Sequence, residues 1–224
     1  MIRQHSMYIY IIHFIATMVV ASMLIGIFPP FAYSNQSTDL TRFLQEIQLA
    51  SDKVRSFSSP FIQERHLALF ASPVIFHGQL IVVRPDRLRW EFTSPVPSVL
   101  IFRGDSGTRC NDEAPPVQFD LNSDPVMRTV AEQLWLWLGG DYLKLNDLYH
   151  IEKKGNSSLV IIPKDESVSE FIWAVTITFS DGSRQPEEVE ILEPGGDSTL
   201  ISFQSYTLNS DIPEILFSHC GTND

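Results

Sequence analysis

Apolar side chains at Leu40, Phe43, Leu44, Ile47 and Ala50 follow the i, i+3, i+4, i+7, i+10 spacing of an amphipathic helix. Ser37-Thr38-Asp39 supplies capping side chains ahead of it, and the pattern predicts an end near Arg55. The period then changes to two. Alternation and β-branched or aromatic enrichment predict strands over 61–70, 74–84, 88–92, 99–103, 148–153, 159–163, 171–179, 189–193 and 198–208. Turn residues separate them at Pro85-Asp86, Ser106-Gly107, Gly155-Asn156, Asp181-Gly182 and Gly195-Gly196. Most gaps are hairpin-sized, which predicts an antiparallel meander.

One segment interrupts the strands with a helical period. Asp124 suits an N-cap and Pro125 the first helical position. Val126, Val130, Leu134, Trp137 and Leu138 then share one stripe, widened by Met127, Ala131 and Trp135, before Gly139-Gly140 ends the helix.

An antiparallel sheet usually keeps one face wet. Here several strands carry large apolar residues at alternate positions: Leu88, Trp90 and Phe92, then Phe171, Trp173, Val175, Ile177 and Phe179. The expected class is mainly β with some α, an open antiparallel half-barrel whose concave face is covered by the two helices. Side chains filling the interior and a hollow apolar cavity both fit this pattern.

The N-terminus changes the picture of where the chain works. Arg3 precedes an almost uncharged run from Met7 to Phe28, followed by Ala32-Tyr33-Ser34, the layout of a signal peptide over residues 1–34 that leaves a domain of residues 35–224. The run is also long enough for an uncleaved membrane anchor. Either reading places the domain outside the cytoplasm, since Arg3 would stay inside. No cysteine follows the run to accept an N-terminal lipid. Cys110 and Cys220 are the two cysteines, and outside the cytoplasm they are permitted to form a disulfide or to stay separate.

Charge excludes other classes. The net charge is −11 with no basic cluster, which argues against nucleic acid and against docking on an anionic membrane. Gly104-Asp105-Ser106-Gly107 matches the tetrapeptide of a serine-protease nucleophile, but His66 and His77 lie too close upstream to build that two-barrel fold. The remaining histidines, including His150 and His219, lack metal-ligand spacing, and no glycine-rich phosphate loop precedes a helix. No catalysis, metal or cofactor is expected.

A more specific signal lies between Val54 and Phe102. Val54-Arg55-Ser56-Phe57, Phe61-Ile62-Gln63, the run Gly78 to Pro85 ending in Arg84-Pro85, then Leu88-Arg89-Trp90-Glu91 and Pro95 resemble the periplasmic carriers of outer-membrane lipoproteins, the LolA-like family. The strand Leu159 to Pro163, the stretch Phe179-Ser180-Asp181-Gly182 and closing strands around Phe203 and Phe217 fit more loosely. The segment from Asn111 to Ser123, with Pro115-Pro116, does not resemble the family.

The resemblance implies a periplasmic monomer with a roughly eleven-stranded half-barrel and a helical lid. Lipid-modified proteins would be its cargo, received from an inner-membrane ABC transporter and passed to an outer-membrane receptor; a carrier of another lipid, such as a glycolipid or fatty acyl group, and a non-carrier sensor or interaction module on the same fold are the alternatives. Arg84 falls on the family's lid-latching arginine, and Leu88 and Trp90 fall on cavity positions. With the strand parity, this marks Leu80, Val82, Leu88, Trp90, Phe92, Trp173, Val175 and Ile177 as the lipid-binding face, and Val130, Leu134, Trp137 and Leu138 as the lid helix.

Overall fold

The structure, a computed structural model, describes residues 35–111, 113–139 and 142–221. The expected signal peptide or anchor, residues 1–34, lies outside them. Helix α1 (Asn35–Ser51) leads into six strands: β1 (Ser56–His66), β2 (Val74–Val83), β3 (Arg87–Ser94), β4 (Ser98–Arg103), β5 (Ser106–Asn111) and β6 (Ala114–Asp120). Helix α2 (Pro125–Leu138) and a 3₁₀ turn (Tyr142–Asp147) precede β7 (Tyr149–Lys154) and β8 (Ser158–Pro163). After a short helix α3 (Glu166–Ser169) come β9 (Ala174–Phe179), β10 (Pro186–Leu192), β11 (Ser198–Phe203) and the two-residue β12 (Thr207–Leu208), then a 3₁₀ turn (Glu214–Phe217).

The strands form one open antiparallel sheet in the order β6-β5-β4-β3-β2-β1-β11-β10-β9-β8-β7, with β12 pairing β1 off that path. It is therefore two meanders joined where β1 meets β11, with Phe61 opposite Phe203. Its edges are β6 and β7, and the intervening chain holds α2.

The hydrophobic pattern decides which face carries the core. Leu80 and Val82 on β2, Leu88 and Trp90 on β3, and Val175 and Ile177 on β9 are all buried in one cluster with Phe43, Leu44 and Ile47 of α1 and Leu134, Trp137 and Leu138 of α2. Aromatic rings fill its centre. Phe61 lies 4.7 Å from Trp90, 5.5 Å from Phe92 and 6.4 Å from Phe203 between ring centroids. These separations are those of favourable edge and offset contacts.

Gly78 makes this stacking feasible. It sits between Phe61 on β1 and Phe92 on β3, where the register shifts at a bulge. A Cβ at Gly78 would fall 2.3 Å from the Glu91 carbonyl oxygen and 2.3 Å from the Phe61 ring. One contact is backbone and cannot swing aside. Gly78→Ala should therefore cost about 1–3 kcal/mol, seen as a lower urea midpoint at unchanged slope. An unshifted midpoint would show that the strand yields.

The opposite face carries a second core of Val99, Ile101, Cys110 and Phe217. The C-terminal segment lies across it, tied by a disulfide between Cys110 and Cys220 with 6.0 Å between their Cα atoms. Phe217, expected in a closing strand, is instead in the last 3₁₀ turn. The segment crosses a face of the sheet, so its carbonyls find no neighbouring strand. Arg89 takes them: its guanidinium donates to Leu216 O (3.0 Å), His219 O (2.8 Å) and Cys220 O (3.0 Å), and its Nε pairs with Glu91 (2.9 Å). Arg89 is fully buried, at 0% exposure.

Several boundaries differ from the sequence expectation. Helix α1 covers Asn35–Ser51, so Ser37-Thr38-Asp39 lies inside it, and it stops at Ser51 rather than Arg55. Ser106 and Gly107 are not a turn but the start of β5, because the chain reverses one step earlier, where Gly104 adopts φ +60°. The predicted strand 198–208 breaks after Phe203, and 171–179 begins only at Ala174, since α3 and its exit occupy the preceding residues.

Candidate functional site

The two helices end side by side over one arginine. An α-helix leaves its last carbonyls without intrahelical partners and concentrates partial negative charge there. Arg84 follows β2 directly, its N–H fixed on Arg55 O at 2.9 Å. Its side chain turns to the helix-covered side of the sheet, where Leu80 and Val82 also lie. The guanidinium then spans both helix ends: Nη1 donates to Ser51 O at 2.9 Å and to Ser51 Oγ at 2.5 Å, and Nη2 donates to Leu138 O at 3.0 Å.

Two further donors complete the clasp. The Ser51 hydroxyl accepts from Arg84 and donates to Gly139 O at 3.2 Å. The buried Tyr142 hydroxyl donates to Trp137 O at 2.6 Å. Three successive carbonyls at the end of α2, those of Trp137, Leu138 and Gly139, are thus met by donors from Tyr142, Arg84 and Ser51.

Burial lowers the Arg84 pKa from its ordinary value, while Tyr142 and Asp52 pull it back up. An arginine so placed remains charged across the physiological range. Burial likewise raises the Tyr142 pKa, holding the phenol neutral as a donor. At the clasp, Arg84 Nε and Trp137 Nε1 are buried without a hydrogen-bond partner among the described residues.

Beneath the clasp, Leu80, Val82 and Leu88 have no exposure, and Trp90, Val175 and Ile177 are buried with them. Phe92 is partly buried against the same cluster. In α2, Leu134, Trp137 and Leu138 face the core and Val130 packs at its margin, but Val126, expected on the same stripe, is exposed. Met127 and Ala131 take the inward positions instead.

Trp173 departs from its expected place. It is 63% exposed rather than on the lipid-binding face. Parity applies only within a strand, and Trp173 precedes β9, held by its N–H on Leu192 O at 2.8 Å. Ser106 is likewise no nucleophile in a triad. It faces Arg103 across the hairpin and donates its hydroxyl to the Arg103 carbonyl at 3.1 Å.

A cleft of about 590 Å³ opens along the seam between the sheet edges, lined by Leu121, Ala131, Trp135, Leu136, Leu148 and Tyr149 among others. Another of about 590 Å³ lies outside the clasp, around Asp52, Arg55, Arg84 and Asn209. Sequence reasoning missed Ser51 and Tyr142. A hydroxyl at each helix exit was the available signal. Among the described residues, no helix is long and apolar enough to cross a membrane.

Solved structures align with this chain. An uncharacterised conserved protein from Thermus thermophilus aligns with a TM-score of 0.50 at 8% identity, covering 80% of this chain and 93% of that one. A LolA superfamily protein from Nitrosomonas europaea aligns with a TM-score of 0.41 at 14% identity, over 78% of this chain and 96% of that one. A chain of the Pseudomonas aeruginosa MucA/MucB complex aligns with a TM-score of 0.46 at 13% identity, over 83% of this chain and 63% of that one. Sequence comparison with curated proteins gives no match. The model of one family, described as outer membrane lipoprotein carrier protein LolA, matches residues 52–220, which takes in the strands, α2, Arg84 and the Arg89-bound tail. The chain belongs to the LolA family of outer membrane lipoprotein carriers.

Proposed function

We propose that this protein is a periplasmic, non-enzymatic carrier that binds the acyl chains of lipoproteins between the sheet and its helices and moves them from the inner to the outer membrane. The observation that carries the reading is the Arg84 clasp over an apolar face. A few polar contacts hold two helices against a surface built almost wholly of hydrocarbon and aromatic rings. Cargo chains burying about 0.8 kcal/mol per CH₂ can compete with such a closure, since one acyl tail outweighs two or three hydrogen bonds. The rings that fill the closed interior, Phe61, Trp90 and Phe203, are then the surface that cargo covers when the helices lift.

An ABC transporter of the inner membrane and an outer-membrane receptor are the partners such a route requires. Residues 1–34 serve as the export signal or, uncleaved, as a tether to the inner membrane.

Titration of the exported protein with a fluorescent fatty-acid analogue tests the reading. Saturable uptake with a change in emission from Trp90 is expected, and Leu88→Asp should weaken it at least tenfold, because a carboxylate at a position without exposure would have to meet the chain. Correct folding with no uptake at any probe concentration would sink the carrier reading.

A further inference from the structure

The two ends of the sheet differ sharply in polarity. At the clasp end the hairpin turns are Arg84-Pro85-Asp86, Gly104-Asp105, Gly155-Asn156-Ser157 and the segment Ser180 to Gln185, none with a large apolar side chain. At the other end, the β1–β2, β3–β4 and β8–β9 connections each expose one, while the β10–β11 turn between them, Glu193 to Asp197, does not. Leu69 is 94% exposed and Phe70 67% in the β1–β2 connection, and Phe171 is 71% exposed beside Trp173 in the β8–β9 connection. Val96 in the β3–β4 turn is exposed as well.

These tips are neighbours. Ala68 donates its N–H to Asp197 in the β10–β11 turn at 2.9 Å, and a Cβ on Gly196 would meet Ala68 at 3.8 Å. Trp173 is hydrogen-bonded to Leu192 at the start of that same turn. The apolar β1–β2 and β8–β9 connections therefore stand on either side of the β10–β11 turn.

We infer that this rim is a membrane-contact surface that inserts its tips into the interface of an electrically neutral bilayer. Large apolar side chains left together in water mark an interaction site. They stand on projecting loops rather than in a groove, and residues 67–73 carry no charge. A row of protruding tips fits a soft planar interface, where Trp and Phe partition well.

Charge selects the kind of bilayer. Asp165, Glu166 and Glu170 flank the row at α3, and Glu193 and Asp197 flank it at the β10–β11 turn. These five carboxylates outnumber the two nearby cations. Arg65 pairs with Glu193 and Asp197, and the Lys164 ammonium donates to Asn146 O. An anionic leaflet is therefore repelled, and zwitterionic headgroups are favoured.

The inference does not depend on the carrier reading. The test uses the exported protein with phosphatidylcholine vesicles containing brominated lipid, subtracting the signal of Trp173→Phe to isolate Trp173 from Trp90, Trp135 and Trp137. Trp173 should be quenched and its emission should move to the blue. Leu69→Asp with Phe70→Asp should lower vesicle affinity at least tenfold without lowering the thermal midpoint, since both side chains face solvent. Substituting phosphatidylglycerol should weaken binding at low salt.

Absence of quenching overturns the inference. So does lipid-free dimerisation abolished by the same two substitutions, which would make the rim a surface for a second copy of the chain. A protein that takes up no acyl probe but shows the quenching keeps the membrane contact and loses the carrier reading.

Discussion

Replacing Arg84 with leucine should leave cargo uptake intact and slow cargo release at least tenfold. The substitution removes the donors that reach Ser51 and Leu138 while keeping an apolar stem after β2. Loss of about 2–3 kcal/mol of closing energy lowers the closed-to-open ratio by roughly 30- to 160-fold. In the carrier reading, closing regains the contacts that expel cargo, so a protein that closes poorly holds on to it.

The measurement loads wild type and variant with a lipid-modified protein and follows its transfer to acceptor membranes. Arg84→Lys should fall between them, because a single ammonium cannot span two helix ends as a planar fork does. Equal transfer by Arg84→Leu would reduce Arg84 to a charge beside a turn. Failure of the variant to fold would make its role structural.

Replacing Arg89 with leucine should cost more stability than any exposed substitution, about 3–5 kcal/mol, or a fall of roughly 6–20 °C in the thermal midpoint. The change strands Glu91 and the carbonyls of Leu216, His219 and Cys220, all of which Arg89 meets in the native state. Cys110→Ser should cost about 2–5 kcal/mol through the tether it breaks. Circular dichroism on heating, with the disulfide intact in the Arg89 variant, separates the two contributions. A midpoint within a degree of wild type for Arg89→Leu would mean that the disulfide alone holds the tail.

What the sequence revealed tracks how locally each feature is determined. Phe43, Leu44 and Ile47 repeat at helical spacing because one stripe of α1 is buried, and Leu80, Val82 and Leu88 alternate because one face of the sheet is. The position of Arg84 followed from the same parity together with the family block. Strands β5 and β6 were illegible because β6 is an edge strand, mostly exposed, with Pro115 and Pro116 at the irregularity where its pairing to β5 shifts register. An edge needs no alternating stripe, so none was written.

The role of Arg89 was illegible for the opposite reason. A charge between Leu88 and Trp90 reads as facing water, and only a segment more than 120 residues further on covers it. Trp173 failed because parity was extended past the strand's first residue. The pairing of Cys110 with Cys220 was permitted by the sequence but set by the tail's path over the outer face.

The junction of β1 with β11 imposes an order on assembly. Chain synthesis runs from the N-terminus, so β1 to β6 can pair as soon as they emerge, each with a strand just before or after it. The far edge of β1 has no such neighbour. Its partners, residues 198–203, arrive some 140 positions later, as the pairing of Phe61 with Phe203 shows. Until then a nascent half-sheet presents a bare strand edge and a row of uncovered aromatic rings. That interval is the one in which this chain most needs protection from its neighbours, and its length is fixed by topology rather than by the strength of any contact.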